Sequence, residues 1–306
     1  MLLGQVEGFL EVVRHGNVSR AATALSITQP ALTARLQGLE REVGQKLFVR
    51  ARKGIQLTEA GRAFLPYAER AVASLRGGME LVSEMRSGGT GELVLAAAPA
   101  VSTYVLPTLL VRFAAQHPSV RLVVRTGHSE EVVEMVARGE VQLGIVRALR
   151  HPMVTTRPLY EDEVILVTDP RHPFAATGRV TLDQLTEARL ILFDRASSYY
   201  DLTNAIFREA GVLPRAVMEL DNIEAAKKMV ELGLGVAVLP QTAIADELRQ
   251  GVLRAVEIEG SPRIRRRIVM VRHRDAGPPQ GVVATFIEGL REVPDLVPGA
   301  RRPEQD

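Results

Sequence analysis

Residues 28–40, TQPALTARLQGLE, combine an apolar stripe with a face that carries almost no charge. The three leucines recur at steps of four and three, so this stripe is expected to be buried in a helix. The other face carries Pro30, Thr33, Ala34 and Gln37, which are small or uncharged, where an ordinary solvated helix carries Glu and Lys. Glutamine and threonine on such a face can hydrogen-bond to the edges of nucleic-acid bases, and a face without carboxylates does not repel phosphates.

Two shorter helices and a basic hairpin surround this segment. A helix predicted over residues 3–15 ends at Gly16, and Asn17 can cap a second helix. Thr28 can cap the third helix. The following stretch, LFVRARKGIQLT, has two short apolar runs around a basic turn and predicts a β-hairpin, or wing. Two closely spaced helices followed by a wing indicate a winged helix-turn-helix, whose second helix enters the major groove of DNA.

In such a unit, the uncharged face of the third helix is expected to contact the base edges of DNA. Gln29 can pair with adenine through two hydrogen bonds, and Thr33 can contact a thymine methyl group or a phosphate. Arg35 lies off the centre of the face and is expected at a phosphate, as are the basic residues of the wing. The alternative is a polar helix in a protein interface. The predicted DNA-contacting residues are Asn17, Ser19, Thr28, Gln29, Pro30, Thr33, Arg35, Arg50, Arg52 and Lys53.

A second set of candidate residues follows predicted strands further along the chain. Ligands of open α/β sheets bind beyond the carboxyl ends of strands, and helix N-termini that carry hydroxyl groups attract anions. After LVLAAA, for example, Ser102 and Thr103 are expected to open a helix. The alternative is that each hydroxyl only caps its helix. The candidate ligand-binding residues, which together predict a small anionic ligand, are Ser102, Thr103, His128, Ser129, Arg147, Ser197, Ser198 and Asn222.

The chain after residue 92 alternates predicted strands and helices, which favours parallel sheets with helices on their faces. Eight strands fit two small α/β lobes. The main strands are LVLAAA, VRLVVRT, VQLGIVR, EVILVTD, ARLILFD, AVMEL, LGVAVLP and RRIVMVR, with helices predicted at 103–116, 129–138, 199–211 and 222–233.

A long helix from Thr58 to about Arg86 precedes this region, and SGGTGE after it is predicted to be a hinge. Apolar residues at alternating steps of three and four form a seam that predicts pairing with a second copy of the chain. The alternative is a helix packed on its own domain. The seam consists of Leu65, Ala68, Val72, Leu75, Met79 and Val82.

Charge and composition limit the possible functions. Residues 1–87 hold 12 Lys and Arg against 8 Asp and Glu, a net +4, and the remainder holds 26 against 28, a net −2, so the basic charge lies at the N-terminal end. The chain has no cysteine, hence no disulfide and no thiolate metal site. Neither a signal peptide nor a membrane span is expected, because Glu7 and Glu11 interrupt the first segment and prolines break the uncharged run at 93–111.

Enzymes and solute-binding proteins are the alternatives from other classes. GLGVAV at 233–238 has two glycines of a dinucleotide fingerprint but lacks the third, and it enters a strand rather than leaving one. The six histidines have no pair at metal-ligand spacing, and no nucleophile elbow or phosphate loop occurs. A solute-binding protein would not need the DNA-reading helix. Neither a catalytic nor a metal site is therefore predicted.

Residues 17–61 resemble the N-terminal winged helix-turn-helix of the LysR-type transcriptional regulators. The resemblance extends through the long helix, the GEL that enters the first strand and the late VELGLGVAVLP, and covers nearly the whole chain. Three positions depart from the family's common pattern. Asn17 replaces a serine and caps equally well, Ala34 stands where the recognition helix often carries arginine, and Ala98 stands where the cleft often carries a hydroxyl residue.

The resemblance implies a DNA-binding transcriptional regulator rather than an enzyme. It implies an α/β effector domain of two lobes, like a periplasmic binding protein, with crossovers near 161–163 and 265–268. It also implies homodimers through the linker helix, often paired into homotetramers. Such regulators act on promoter half-sites in the bacterial cytoplasm, at the nucleoid, with RNA polymerase as a further partner and a small-molecule effector instead of a cofactor.

The expected organisation follows from these boundaries. It comprises a winged helix-turn-helix at 1–57, a linker helix at 58–87, an effector domain at 88–293 (lobe 1 at about 91–162 and 267–293, lobe 2 at about 163–266) and a tail at 294–306, whose last ten residues, VPGARRPEQD, are expected to be disordered.

Overall fold

The computed structural model describes residues 2–51, 54–86, 91–193, 199–209 and 216–303. Within these ranges no helix combines the length and the apolar character needed to cross a membrane. The N-terminal elements form the head, which is the predicted winged helix-turn-helix, and the long helix that follows it. They are α1 (Leu3–His15), α2 (Val18–Ala24), α3 (Gln29–Val43), β1 (Phe48–Ala51), β2 (Gly54–Leu57) and α4 (Glu59–Arg86).

Local capping fixes the ends of the head helices. Helix α1 ends at Gly16, whose φ of 60° is a left-handed conformation that glycine adopts without steric cost. The Asn17 side chain accepts hydrogen bonds from the backbone N–H groups of Ser19 and Arg20, at 2.8 and 3.1 Å. The Thr28 side chain accepts one from the first turn of α3. The predicted caps are therefore confirmed.

One apolar core holds the head together. Phe9, Leu32 and Leu39 are fully buried in it, so the leucine stripe predicted for α3 faces inward. Helices α1 and α3 approach so closely at Gly8 that an added Cβ would lie 2.8 Å from the Leu32 side chain. The polar face of α3 is consequently held outward by tight packing behind it.

The two halves of helix α4 differ in how far their apolar side chains are buried. Its first half contributes Ala68 and Val72 to the head core, where their exposed fractions are 2% and 6%. Leu75 and Met79, further along, are 51% and 61% exposed. The predicted continuous seam is therefore wrong for the first half, which packs on its own domain, and among the seam residues whose side chains the structure describes, Leu75 and Met79 are the exposed ones.

The C-terminal region begins at Glu92. Its elements are β3 (Glu92–Ala97), α5 (Pro99–Tyr104), α6 (Leu106–Gln116), β4 (Arg121–Thr126), α7 (Ser129–Ala137), β5 (Leu143–Arg147), β6 (Val154–Thr168), α8 (Pro173–Thr177), β7 (Arg179–Val180), α9 (Leu182–Glu187), β8 (Leu190–Phe193), α10 (Tyr200–Glu209), β9 (Ala216–Leu220), α11 (Ile223–Glu231), β10 (Val236–Pro240), α12 (Gln241–Gln250), β11 (Arg254–Ile258), β12 (Ile264–His273), α13 (Gly281–Gly289), a 3-10 turn (Leu290–Glu292), α14 (Val293–Leu296) and β13 (Ala300–Arg301).

Two lobes share one sheet in this region. The strand order is β4-β3-β5-β12-β6-β10-β8-β9 among the described residues. Strands β4, β3 and β5 are parallel in lobe 1, and β10, β8 and β9 are parallel in lobe 2. The long antiparallel strands β6 and β12 run between them, and each lobe has its own apolar core. The segments 161–163 and 265–268, where the crossovers were expected, lie within these two strands.

Two predicted elements differ in the structure. The helix expected over 103–116 is two helices, α5 and α6, because Pro107 has no N–H to donate to the carbonyl of Thr103. The tail is ordered as far as residue 303, contrary to the prediction. Val293 and Val297, one helical turn apart, are buried in the lobe 1 core, and β13 pairs with β6.

Candidate nucleic-acid interface and effector cleft

The candidate DNA-reading surface lies at the start of α3. Gln29 and Pro30 are exposed there, and Thr33 is partly exposed. The Ser19 hydroxyl, on α2, donates a hydrogen bond of 2.9 Å to Oε1 of Gln29. An amide oxygen has two lone pairs, so Gln29 can keep this bond and still accept a second one from a base. The two helices of the pair thus jointly orient the residue predicted to read adenine.

Arg35 lies away from this surface. Its side chain is partly buried against α1, with Nη1 3.5 Å from the carbonyl oxygen of Gly4. The Thr33 hydroxyl donates to the carbonyl oxygen of Gln29 at 2.9 Å. The structure therefore brings Gln29, Pro30 and Thr33 together on one face and directs Arg35 elsewhere.

The wing forms as predicted, with β1 antiparallel to β2. Arg52 and Lys53 lie outside the described residues, as does the side chain of Arg50. Glu40 on α3 anchors the wing, because its carboxylate accepts hydrogen bonds from Lys46 and from the backbone of Leu47.

Burial raises the pKa of Glu40, but the hydrogen bonds from Lys46 and the wing backbone outweigh it, so the pKa is lowered. Sequence reasoning missed this anchor. Its signal was a carboxylate in the last turns of a helix that is followed at once by a hairpin.

A cavity of about 140 Å³ lies between the two lobes, beyond the carboxyl ends of β3 and β4. Four of the candidate ligand-binding residues line it: Thr103, His128, Ser129 and Asn222. Ser197 and Ser198 lie outside the described residues. The remaining lining residues are Ala98, Pro99, Ala100, Tyr104, Tyr199, Asp221, Ile223, Glu224 and Arg266.

Ser102 and Arg147 do not line this cavity. Helix α5 begins at Pro99, so Ser102 lies within the helix and does not open it, and its hydroxyl accepts a hydrogen bond from Thr126 at 3.0 Å. Arg147 forms an ion pair with Glu130. The prediction that Ser102 and Thr103 open a helix is wrong, since α5 begins at Pro99 with Ala98 as its N-cap.

Arg266 is the main charged residue of the cavity that sequence reasoning missed. It is only 5% exposed, and its guanidinium carbon lies 4.4 Å from the centre of the Tyr199 ring. The sequence signal was a run of three arginines in β12 and a run of three acidic residues in β6. The two strands place these runs opposite each other, Arg265 with Glu163, Arg266 with Asp162 and Arg267 with Glu161. Alternation along a strand turns the middle arginine away from its two neighbours.

Asp162, opposite Arg266, is buried and held from the other side. Its carboxylate accepts hydrogen bonds from the backbone N–H and the hydroxyl of Thr242, at 3.1 and 2.7 Å. Burial raises the pKa of Asp162 to about 6, despite the opposing effects of Thr242 and Arg266. In the buried pair of Asp162 and Arg266, the carboxyl group therefore takes up a proton at a pH only slightly below neutral.

A polar group at the cavity joins the two lobes. The Tyr104 hydroxyl, in lobe 1, donates a hydrogen bond of 2.7 Å to Glu224, in lobe 2. Lys227 contacts Glu224 at 3.0 Å and Glu247 at 2.8 Å, which balances part of their charge. Burial and the adjacent Glu224 raise the pKa of the Tyr104 hydroxyl, so it remains a donor at neutral pH.

Comparison with known proteins connects both sites to one family. The chain matches the family model of the bacterial regulatory helix-turn-helix protein, lysR family, over residues 3–62, and that of the LysR substrate binding domain over residues 86–295. It is 31% identical over 273 residues to the uncharacterized HTH-type transcriptional regulator YeiE of Escherichia coli strain K12, covering 89% of this chain and 91% of that protein.

Solved structures agree with this assignment. A full-length OxyR variant from Pseudomonas aeruginosa is 20% identical with a TM-score of 0.73, covering 100% of this chain and 99% of that one, and it supports the fold. Full-length CbnR in complex with its target DNA is 25% identical with a TM-score of 0.60, covering 96% and 100%. The chain belongs to the LysR family, and it is a DNA-binding transcriptional regulator, not an enzyme, whose C-terminal domain binds an effector.

Proposed function

We propose that the effector of this regulator is a small anion, held in the interlobe cavity by Arg266. The observation that carries the proposal is that an arginine with only 5% exposure lines a cavity of about 140 Å³. A buried cation is costly unless an opposite charge accompanies it. Asp162 supplies such a charge but is not among the cavity-lining residues, so a ligand entering the cleft meets the guanidinium and not the carboxylate.

The charges of the lining favour a single negative charge on the ligand. Arg266 is the one arginine or lysine among the described lining residues, whereas Asp221 and Glu224 are both acidic. Lys227 offsets Glu224 at 3.0 Å, but Asp221 adds a second negative charge at the exposed side. A phosphate dianion would be repelled by these carboxylates, so a monocarboxylate is the preferred ligand class.

Ser129 supplies the second contact of the proposal. Its hydroxyl is buried, and it has no hydrogen-bond partner among the described residues. It begins α7, and the N-terminus of a helix carries roughly half a positive charge. A carboxylate bridging Ser129 of lobe 1 and Arg266 would satisfy the buried hydroxyl. Hydrogen bonds to charged groups contribute about 1.5–3 kcal/mol each.

The proposal can be tested with a panel of small carboxylates and their neutral amides. Binding of each compound to the full chain is measured by thermal shift and calorimetry. Carboxylates are expected to bind and the matching amides to fail. Ser129→Ala should weaken binding of the active carboxylate by at least about tenfold, the loss of one such hydrogen bond. Because the hydroxyl has no partner among the described residues, its removal should leave the folded state intact.

Two variants are matched controls. Ser102→Ala removes a hydroxyl near the cavity but not in its lining, and Arg147→Ala removes a cation that already pairs with Glu130. Both should bind like the unmodified chain. If an amide binds as tightly as its carboxylate, there is no anion site between Ser129 and Arg266. The same conclusion follows if Ser102→Ala and Ser129→Ala lose affinity equally.

We infer that the chain acts as a homodimer paired through the exposed part of α4, and that two dimers form a homotetramer on promoter DNA. Leu75 and Met79 supply the apolar surface for the first contact. A two-fold assembly would read two related half-sites. Its place of action is then the nucleoid, in the cytoplasm, with RNA polymerase as a further partner and the effector, instead of a resident cofactor, as the small-molecule ligand.

A further inference from the structure

A second cavity, of about 240 Å³, lies on lobe 1 and shares no lining residue with the interlobe cavity. Its floor is apolar and buried, formed by Leu159, Met270 and Ile287 with exposed fractions of 8%, 6% and 6%. Its rim carries two exposed arginines, Arg157 and Arg291, together with Arg302 from the tail. The cavity therefore combines an apolar surface with a cationic edge.

The C-terminal segment builds one wall of this cavity. Strand β13 pairs with β6 through Ala300 and Asp162, which carries the following residues along β6 past Leu159. Arg302 then forms hydrogen bonds of 3.0 and 2.6 Å with the two oxygens of Asp295. The wall is thus fixed at both ends, and the cavity is part of the folded lobe.

The charge of the rim is not balanced within the part of the chain that the structure describes. Asp295 neutralises Arg302, but neither Arg157 nor Arg291 forms an ion pair with any described residue. Two such cations beside an apolar floor suit a ligand with one anionic group and an apolar body. Arginine binds carboxylates through paired hydrogen bonds, and the buried floor would remove the apolar body from water.

We propose that this cavity is a second ligand site, which binds a small amphipathic carboxylate. The carboxylate lies between Arg157 and Arg291, and the apolar part of the ligand rests on Met270 and its neighbours. The volume is below the ~300–1,000 Å³ of pockets for drug-sized ligands, so the ligand is small. The site is separate from the proposed effector site, and either can exist without the other.

Phenylacetate is a suitable probe, because it joins one carboxylate to one apolar ring, and phenylacetamide is its neutral counterpart. The full chain, labelled with ¹³C at the methionine methyl groups, is titrated with each compound by nuclear magnetic resonance. Met270→Leu, which nearly conserves side-chain volume, identifies the Met270 signal among the eight methionines. Phenylacetate should shift the Met270 signal in a saturable manner, and phenylacetamide should shift it at least tenfold more weakly.

The decisive variant is Arg157→Gln with Arg291→Gln. Both side chains are exposed, so the fold should persist, and the affinity for phenylacetate should fall at least tenfold. Arg179→Gln with Arg249→Gln on lobe 2 removes the same charge elsewhere and should leave the affinity unchanged. An unmoved Met270 signal, equal binding of the amide, or an equal loss in the lobe 2 variant would overturn the proposal.

Discussion

The DNA-binding head and the interlobe cavity position their functional side chains in different ways. The head takes them from residues 17–53 and supports them on one core. The residues that line the cavity come from both lobes and from segments spread between Ala98 and Arg266. Gln29 is oriented by a contact only ten residues away, whereas Tyr104 meets Glu224 across 120 residues. Contacts of the head should therefore respond to local changes, and those of the cavity to the relative position of the lobes.

Helix α4 connects these two regions and offers the largest expected effect. Val72→Glu places a charge in the head core, where the side chain is 6% exposed. An unpaired buried charge should destabilise the head by more than about 3 kcal/mol and abolish DNA binding. Thermal unfolding monitored by circular dichroism, together with a gel-shift assay, measures both changes.

Leu75→Glu with Met79→Glu is the matched variant on the exposed half of α4. These side chains are 51% and 61% exposed, so the head should remain folded while the dimer dissociates. Sedimentation velocity measures the change, which should appear as a monomer with a normal unfolding transition. A dimer that survives this double substitution would mean that the subunits associate through another surface.

A smaller effect is expected at the reading face of the head. Gln29→Ala should cost about 1–3 kcal/mol at one base position and relax the sequence preference there. Ser19→Ala leaves Gln29 in place but removes the hydrogen bond that orients it, so its effect should concern the same base position and be smaller. Binding assays on an operator with each base substituted in turn compare the two variants.

Arg35→Ala is the control for this comparison. Its guanidinium group lies against Gly4, so the sequence preference should remain. A change of preferred base in Arg35→Ala, combined with none in Gln29→Ala, would mean that the recognition helix presents another face to DNA.

The head could be predicted from the sequence because its determinants are local. The Asn17 and Thr28 caps act on backbone groups two or three residues away, and the hairpin follows from a basic turn between two apolar runs. Arg35 is the exception, since its contact with Gly4 spans 31 residues.

The cavity could be predicted only in part. The strand ends indicated His128 and Ser129 correctly as lining residues, because a helix start after a strand is a local feature. Arg147 and Arg266 have the same charge, and what separates them is the partner that the fold brings to each. Arg147 pairs with Glu130, which lies 17 residues away, whereas Arg266 lies on β12 opposite Asp162 of β6, more than 100 residues away in the sequence. Hydrophobic periodicity contains no information on such pairings.

The smallest expected effect concerns the coupling between Arg266 and Asp162. The pKa of Asp162 is raised to about 6 by burial. Below pH 6 its carboxyl group is therefore mostly neutral, and the positive charge of Arg266 is less compensated. Affinity for an anionic effector should rise as the pH falls from 7.5 to 5.5. The expected gain in affinity is about two- to fivefold. This is smaller than a tenfold change, which corresponds to one pKa unit or roughly 1.4 kcal/mol.

Calorimetry with a sulfonate analogue of the active carboxylate keeps the ligand charge constant over this range. Asp162→Asn retains an acceptor for Thr242 but cannot ionise, so its affinity at pH 7.5 should match that of the unmodified chain at pH 5.5 and should hardly change with pH. His128→Asn, which replaces another side chain that lines the cavity, is the matched control. If the pH dependence persists unchanged in Asp162→Asn, the buried pair of Asp162 and Arg266 does not control the affinity for the anion.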